Sequence, residues 1–238
     1  MKTLYIEVPY ASFRKSYARS FAETYPLPPP ATVYGMLLSL VGERLRRTHA
    51  GVRLAFAYKC RNQNGNCISE CMPRIATTLR KLSRFKYGVS THVGHKPDYV
   101  ETLCGIAFLC WVDSSKELKT ATVLNSHKVP SIRTLEDRLD EAIRFPSNVY
   151  RDSVLYLGLS DDAVNEVSLC SKVIGRWHRL VPSGTGNIEL PVLVQHVGAA
   201  GTRWRRYQYE PNAITGPIPP DGIEWEWTEM CAPPTYEE

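Results

Sequence analysis

The sequence has no apolar run long enough to span a lipid bilayer, which excludes a protein with membrane-spanning helices. It also lacks a basic-then-apolar leader, because its first residues go directly into a candidate strand, so we expect a cytoplasmic protein. The composition is that of a soluble globular protein, 43% hydrophobic and 22% charged. A chain of 238 residues can bury a substantial core as one elaborated domain or as two small ones.

Cysteine is too scarce and too irregularly spaced to build the fold. Seven cysteines are an odd number, which argues against a disulfide framework and favours free thiols. Cys60, Cys67 and Cys71 precede His92 and His95, but only Cys67 and Cys71 have the short spacing of structural zinc ligands. We therefore predict no metal site and no cofactor.

Positive charge is missing from the end of the chain. All 29 Lys and Arg residues lie within residues 1–206, together with 17 of the 24 Asp and Glu residues. That body therefore has a net charge of +12, and the remaining 32 residues have −7. A basic body with an acidic tail suits a polyanionic partner such as a nucleic acid. The alternative is a solvated basic surface with an acidic end.

Hydrophobic periodicity predicts a strand and then a helix near the N-terminus. Leu4–Pro9 alternates between two faces and ends at its proline. After Pro28–Pro30, apolar residues at steps of three and four predict a helix from Thr32 onward. Its apolar face would contain Val33, Met36, Leu37, Leu40, Val41 and Leu45. The three arginines between positions 44 and 47 would occupy its last turn, where cations suit the helix dipole.

A basic and aromatic loop separates this strand from this helix. Cations alternate there with aromatic rings, a mixture that suits phosphates and unstacked bases. The residues concerned are Phe13, Arg14, Lys15, Tyr17, Arg19, Phe21 and Tyr25. The loop is therefore a candidate contact for nucleic acid, with packing of the rings into the core as the alternative.

Residues 61–101 form a second basic region. Between Met72 and Pro97 there is no acidic residue, and the six cations are Arg74, Arg80, Lys81, Arg84, Lys86 and Lys96. Apolar residues are too few and too scattered here for a packed unit. We predict a projecting insertion that clasps a nucleic acid.

Further strands and a second helix complete a familiar order. We predict strands at Arg53–Cys60, Leu103–Val112 and Val154–Leu159, and a helix capped by Thr134 and closed by Pro146. Strand, helix, strand, insertion, strand, helix, strand is the order of a ferredoxin-like α+β core, shared by RNA-recognition motifs. We assign this core and its insertion to residues 1–160, and a mainly β portion with the acidic tail to residues 161–238.

The C-terminal portion contains a third basic cluster and a glycine-rich turn. If Arg203–Tyr207 is a strand, Arg203 and Arg205 share one face, and we select both as RNA contacts. Ser183–Gly186 lacks the lysine and the strand-to-helix setting of a phosphate loop. We predict a hairpin turn there.

The N-terminal pattern Tyr5–Arg14, Pro28–Leu37 and Gly42–Glu43 is the most specific in the chain, with a weaker companion at Tyr156–Gly158. It resembles the CRISPR-associated "Cas five" family over about positions 4–44. The resemblance implies a subunit of a type I Cascade effector complex in antiviral defence, with a ferredoxin-like core and a projecting thumb. Such subunits bind the 5′ handle of CRISPR RNA and lie between the backbone subunits and the large subunit, and target DNA is a further partner it allows.

The same resemblance places seven residues beside the RNA handle. They are Ser12, Phe13, Arg14 and Arg19 in the loop and Thr32, Tyr34 and Gly35 at the start of the helix. Phe13 has core packing as an alternative role, and Gly35 has close helix packing. Arginines in an aromatic loop favour phosphate contact. From the insertion we add Arg74, Arg80, Lys81, Arg84 and Lys86 as phosphate contacts.

Two other functions stay open at this point. One branch of the family cuts RNA without metal through Tyr, Lys and His, and His127 and Lys128 are adjacent here, but their neighbours do not align with that branch. A general single-strand RNA-binding module explains the charge but not the N-terminal pattern, and the chain lacks the Gly-Phe-Gly-Phe signature of RNA-recognition motifs. We predict a non-catalytic RNA-binding subunit.

Overall fold

The computed structural model describes residues 1–15, 21–46, 48–59, 73–82, 96–117, 133–148, 154–158, 162–170, 172–194, 201–217 and 226–230. Its helices are α1 (Pro30–Leu40) and α2 (Leu135–Arg144), and a 3-10 turn spans Pro146–Asn148. Its strands are β1 (Lys2–Ala11), β2 (Arg53–Lys59), β3 (Arg74–Leu82), β4 (Lys96–Asp113), β5 (Glu166–Leu169), β6 (Lys172–Pro182), β7 (Ile188–Leu193), β8 (Arg203–Pro217) and β9 (Thr228–Glu229). Among these residues, neither helix has the length and apolar character needed to cross a membrane.

The strands form one mostly antiparallel sheet, so the fold is mixed with few helices. Its order is β5-β1-β4-β2-β6-β8-β7, while β3 pairs with β4 and β9 pairs with β2. The main core lies on the face that α1 and α2 cover, where Leu4, Ile6 and Phe108 are fully buried. Trp111 and Trp177 belong to a smaller cluster on the other face. Side chains alternate between the two faces along the central strands, so the same strands contribute apolar residues to both clusters.

β1 confirms the predicted strand, but Pro9 does not end it. Val8 and Ala11 are both buried although they lie three residues apart, so the alternation slips between them. Gly105 in the facing strand β4 has a φ of 68°, which permits a local irregularity of the ladder. Pro9 is exposed, and the strand continues to Ala11.

α1 confirms the predicted helix, but its end differs from the prediction. Pro30 is its first residue, a position where a missing N–H removes no helical hydrogen bond. The helix ends at Leu40, and Gly42, with a φ of 70°, turns the chain away. Leu45 is 63% exposed, so its assignment to the apolar face was wrong. The arginines at 44 and 46 follow the helix, and position 47 lies outside the described residues.

α2 confirms its predicted cap, whereas the strand predicted after it is wrong. The Thr134 hydroxyl accepts a hydrogen bond from Asp137 N (3.2 Å) and so caps the helix. In the described part of residues 154–159, Tyr156 makes one isolated bridge, to Ala163. Gly158 has a φ of 117°, which turns the chain, and β5 takes the place beside β1 instead.

The basic insertion is more regular than predicted. β3 pairs with the first half of β4 from Arg74 opposite Cys104 to Leu82 opposite Lys96, so the predicted third strand begins seven residues early. Backbone pairing rather than apolar packing holds this hairpin together, since Leu79 and Tyr99 are exposed. The insertion boundary at about residue 101 stays a prediction. Residues 60–72 and 83–95 lie outside the described part.

β6, β8 and β7 extend the sheet that β1 begins, and the division predicted at residue 160 stays a prediction. The predicted hairpin at Ser183–Gly186 is wrong. β6 and β7 do not pair with each other, because β8 lies between them, and Tyr207 is opposite both Pro182 and Ile188. The turn therefore crosses over β8.

Candidate nucleic-acid interface

A cavity of about 450 Å³ opens where several parts of the chain meet. Its walls include the loop after β1, one face of α1, the end of β7, the start of β8 and residues 154–158. The residues that line it include Ser12, Phe13, Arg14, Tyr25, Thr32, Gly35, Met36, Ser39, Arg46, Tyr156, Gly158 and Trp204. A cavity of this size can hold a ligand as large as a nucleotide.

The loop after β1 is held at successive residues. Ser12 N donates to Asp162 Oδ2 (2.7 Å), and the Ser12 hydroxyl lies 3.0 Å from that of Thr102. Phe13 N donates to the Thr24 hydroxyl (2.9 Å). Ser12 is 1% exposed and Phe13 is 4% exposed. The backbone of this wall is therefore fixed from behind, by parts of the chain far away in sequence.

The helical wall is a stripe along α1. Thr32, Gly35, Met36 and Ser39 line the cavity, and their spacings of three, four and seven residues put them on one side of the helix. A Cβ at Gly35 would meet no atom within 4 Å. This open space contradicts the alternative that Gly35 serves close helix packing. Glycine there is less favourable for the helix than alanine by about 0.5–1 kcal/mol, but it leaves the cavity wider.

Aromatic rings provide the apolar part of the cavity. The rings of Tyr25 and Trp204 are 5.8 Å apart between centroids, at an angle of 53°. Tyr25 is almost buried, whereas Trp204 is half-buried and Tyr156 is 37% exposed. Ring faces that border a cavity can stack on the base of any nucleotide, because every base has a flat face.

Two arginines provide the positive charge of the cavity. Arg14 is exposed, and Arg46 donates from Nη1 to Val194 O (2.9 Å). The Tyr34 hydroxyl donates to Arg46 O (3.0 Å) from the buried side of α1. Burial, with Glu117 and Glu43 as smaller causes, raises the pKa of Tyr34, so this donor stays protonated. The Tyr34 hydroxyl thus fixes the backbone carbonyl of Arg46 by a hydrogen bond.

A chain with this fold and this site has a relative among known proteins. No protein-family model matches it. A protein of Myxococcus xanthus (strain DK1622) named CRISPR-associated protein Cas5 is 33% identical over 208 residues, which cover 86% of this chain and 87% of the relative. The chain belongs to the Cas5 family. The resemblance of its N-terminal pattern is thereby confirmed.

Two solved structures are similar to this Cas5 chain. A chain from a structure titled "CRISPR RNA-guided surveillance complex" covers 90% of it, and 90% of that chain is covered, with a TM-score of 0.51 and 10% identity. A structure titled "Crystal Structure of CRISPR-associated Protein" covers 85% of the Cas5 chain, with 84% of its own chain covered, a TM-score of 0.43 and 14% identity. The first similarity supports the overall fold.

The cavity of this Cas5 chain brings together five of the residues predicted from sequence. They are Ser12, Phe13, Arg14, Thr32 and Gly35. Tyr34, which was predicted to contact RNA, is 4% exposed and lies on the core side of α1. The role of each residue in RNA binding stays a prediction.

The other predicted contacts are spread over the surface or lie outside the described residues. Arg74 is exposed at the start of β3, and Arg203 is exposed at the start of β8. Arg205 donates from Nη1 to Trp227 O (3.2 Å). Arg80 and Lys81 belong to β3, but their side chains are outside the description. Arg19, Arg84 and Lys86 fall in segments outside it altogether.

Several cavity residues were missed in the sequence. Trp204 lies between Arg203 and Arg205, so strand alternation puts it on the opposite face, and it was left out of the predicted contacts although it lines the cavity. Arg46 was assigned to the last turn of α1, which ends six residues earlier. The aromatic loop contained the signal for Tyr25. Asp162, which supports the cavity without lining it, was also missed, because the pair Asp161–Asp162 is typical of an ordinary surface turn.

The residues considered as metal ligands and those considered for RNA cutting lie outside the described part of the chain. Within the described part, no group of three or more His, Cys, Asp or Glu side chains could hold a metal ion. Cys67, Cys71, His92 and the pair His127 and Lys128 lie outside that part, as do Cys60 and His95.

Proposed function

We propose that this Cas5 protein is an RNA-binding subunit of a type I Cascade effector complex and that its cavity holds the 5′ handle of CRISPR RNA. One observation carries the proposal: ring faces, hydroxyl groups and arginines converge on a cavity of about 450 Å³. Single-stranded RNA is bound through this combination of stacked bases and neutralised phosphates. The body's net charge of +12 adds attraction for a polyanion at long range.

The arrangement of the cavity suits a nucleotide whose base has left the stack. Trp204, which packs against Tyr25, and Tyr156 offer exposed ring surface, and Thr32 and Ser39 offer hydroxyl groups on the helix. Arg14 is exposed at the same cavity and can neutralise a phosphate. A base seated among the rings would therefore place its backbone within reach of a cation.

The sheet supports the finer fold assignment within this proposal. The order β5-β1-β4-β2, with α1 between β1 and β2 and α2 between β4 and β5, is that of a ferredoxin-like core. The hairpin of β3 and the first half of β4 extends this core where a thumb is expected. In this proposal the subunit caps the handle and joins the backbone subunits to the large subunit, in the cytoplasm.

The described lining of the cavity favours binding over cutting. Its described residues include Tyr25 and Tyr156 but no histidine, lysine or carboxylate to act with them, and metal-independent cleavage of RNA needs both a positioned base and a positioned acid. Arginine does not lose its proton in proteins, so Arg14 and Arg46 can bind phosphate but cannot serve as a general base. We therefore propose a non-catalytic role.

Binding of a defined handle tests the proposal. We expect RNA that co-purifies with the chain, expressed with and without neighbouring Cascade subunits, to share one 5′ sequence when extracted and sequenced. The isolated chain should also bind that sequence more tightly than a shuffled RNA of equal length. Equal affinity for both RNAs at several salt concentrations would reduce the chain to a general RNA-binding module.

Incubation with precursor RNA tests the non-catalytic role. We expect the precursor to keep its length when incubated with the isolated chain in the presence of a chelator. Specific cutting that His127→Ala abolishes would instead make the chain the processing enzyme.

A further inference from the structure

Asp162 is an acidic side chain that solvent does not reach, next to the cavity proposed to hold RNA. Its exposed fraction is 0%, and its Oδ2 accepts a hydrogen bond from Ser12 N at 2.7 Å. A buried carboxylate is unfavourable unless hydrogen bonds replace its lost hydration. A negative charge beneath an RNA site also repels phosphate. The presence of Asp162 is therefore explained by the backbone N–H that its carboxylate binds.

Asp162 holds the residue at which β1 stops and the cavity wall begins. The register of β1 with β4 ends at Ala11. One position later, the backbone N–H of Ser12 turns to Asp162 instead of to a neighbouring strand. Arg14, an exposed cation of the cavity, follows two residues further on. The position of Ser12 thus sets the starting point of the wall.

Ser12 has no hydrogen left to donate to a ligand. Thr78 Oγ1 donates to Val100 O (3.1 Å), so it accepts from the Thr102 hydroxyl at 2.9 Å. Thr102 in turn accepts from the Ser12 hydroxyl at 3.0 Å. Because its N–H is also engaged by Asp162, Ser12 contributes to the cavity through the position of its backbone.

Gly158 packs closely against both Asp162 and Ser12. It has a φ of 117°, and a Cβ there would lie 2.7 Å from Asp162 Oδ2 and 3.0 Å from Ser12 O. Leu157 N donates to Asp162 O (3.0 Å), which ties the acidic residue to the turn that carries Gly158. The turn and the loop therefore fit together only without a side chain at this position.

We infer that Asp162 is a positioning residue for RNA binding, whose carboxylate fixes Ser12–Arg14 in the conformation that lines the cavity. It acts through the loop and does not touch RNA itself. This inference rests on the proposed RNA-binding function. It adds a role for an acidic residue 150 positions away in sequence from the loop that it supports.

Two readouts on Asp162→Ala test the inference. Hydrogen exchange of the Ser12 amide in the free protein should become at least tenfold faster, since its acceptor is gone. Affinity for the handle RNA should fall at least tenfold, and the slope of log affinity against log salt should become shallower by about 0.7, equivalent to one phosphate contact. Asp162→Asn retains a weaker, neutral oxygen acceptor and should change both quantities in the same direction by a smaller factor of about three.

Thr228→Ala is the matched control. Thr228 is also buried, and its hydroxyl lies 2.9 Å from that of Tyr207, but it does not line the cavity. It should lower the melting temperature and leave RNA affinity unchanged. Unchanged Ser12 exchange in Asp162→Ala, or faster exchange with unchanged RNA affinity, overturns the inference.

Two further outcomes are also decisive. If Asp162→Ala does not fold, Asp162→Asn carries the test, with the same signs and a smaller factor of about three, because a neutral acceptor binds an N–H more weakly. Wild-type affinity and exchange in that variant overturn the inference. If the wild-type chain binds no RNA, the proposed function fails, while Ser12 exchange still reports whether Asp162 fixes the loop.

Discussion

His49 Nδ1 lies 2.5 Å from Glu117 Oε1, and the exposed fractions of the two side chains are 0% and 5%. The other ring nitrogen, Nε2, lies 3.0 Å from Nη1 of Arg138, a group that can only donate. Nε2 therefore accepts, and Nδ1 carries the proton that is donated to Glu117.

This pair belongs to a network that joins the two helices. Arg138 also donates to Glu43 (2.9 Å) and to Val41 O (2.8 Å) at the end of α1. Leu135 N, at the start of α2, donates to Glu117 Oε2 (3.0 Å). Backbone groups at these two helix ends thus form hydrogen bonds with charged side chains rather than with solvent.

We expect Glu117 to make a pH-dependent contribution to stability. Burial alone would raise the pKa of Glu117, but hydrogen bonds from His49, Ser114 and Leu135 N outweigh burial and lower it. A carboxyl group with a lowered pKa stabilises the fold above its unfolded pKa, roughly 4.3, and loses this contribution as pH falls through the folded pKa. Glu117→Gln should therefore lower the free energy of unfolding by about 1.5–3 kcal/mol at pH 7 and by much less near pH 3.

Urea unfolding of both proteins between pH 7 and pH 3 checks this expectation. Glu141→Gln is the control, because its partner Arg133 and its own carboxylate are both partly exposed, and such pairs contribute less than about 1 kcal/mol. Free-energy curves of wild type and Glu117→Gln that stay parallel across this pH range would contradict the assignment.

Local sequence signals predicted the elements that depend on local interactions. The start of α1 at a proline, the cap at Thr134 and the alternation of β1 are each contained in a few adjacent residues. Long-range pairing is different. β5 lies beside β1, and nothing within its four residues shows that they, rather than the strand predicted at Val154–Leu159, pair with β1.

The residues of the candidate site also differ in whether local sequence signals could predict them. The aromatic loop and the residues at the start of α1 were found because charge and rings alternate there. Trp204 lines the cavity and Asp162 holds its loop wall from distant parts of the chain, and only the folded sheet brings them to Tyr25 and Ser12. Composition indicates the kind of ligand, whereas the completeness of the site depends on topology.

The turn between β6 and β7 should tolerate a methyl group at one glycine and not at the other. A Cβ at Gly186 would overlap the backbone carbonyl of Tyr207, which pairs with both neighbouring strands and cannot move aside. Gly186→Ala should therefore lower the free energy of unfolding by at least about 2 kcal/mol. Gly184→Ala, in open space in the same turn, should stay within about 0.5 kcal/mol of wild type. Similar melting temperatures for both variants would refute this crossing of the turn over β8.

Arg14 should contribute one phosphate contact. It is exposed at the cavity, so Arg14→Ala should weaken binding of the handle RNA and make the slope of log affinity against log salt shallower by about 0.7. Arg206→Ala is the control, since this arginine is also exposed, lies 3.8 Å from Glu189 and does not line the cavity. Fluorescence anisotropy at four salt concentrations measures both slopes. Equal slopes for the two variants would remove Arg14 from the RNA contacts.

Gly35→Ala should stabilise the protein and weaken RNA binding at the same time. Alanine is favoured over glycine inside a helix by about 0.5–1 kcal/mol, and no atom within 4 Å opposes the added methyl group. That methyl group enters the cavity, where a clash with a bound base that costs about 1 kcal/mol lowers affinity roughly fivefold. Melting temperature and handle-RNA affinity are measured on the same samples, with Gly184→Ala as a glycine-to-alanine control away from the cavity. A variant that is more stable and binds RNA as tightly as wild type would place the RNA elsewhere on the protein.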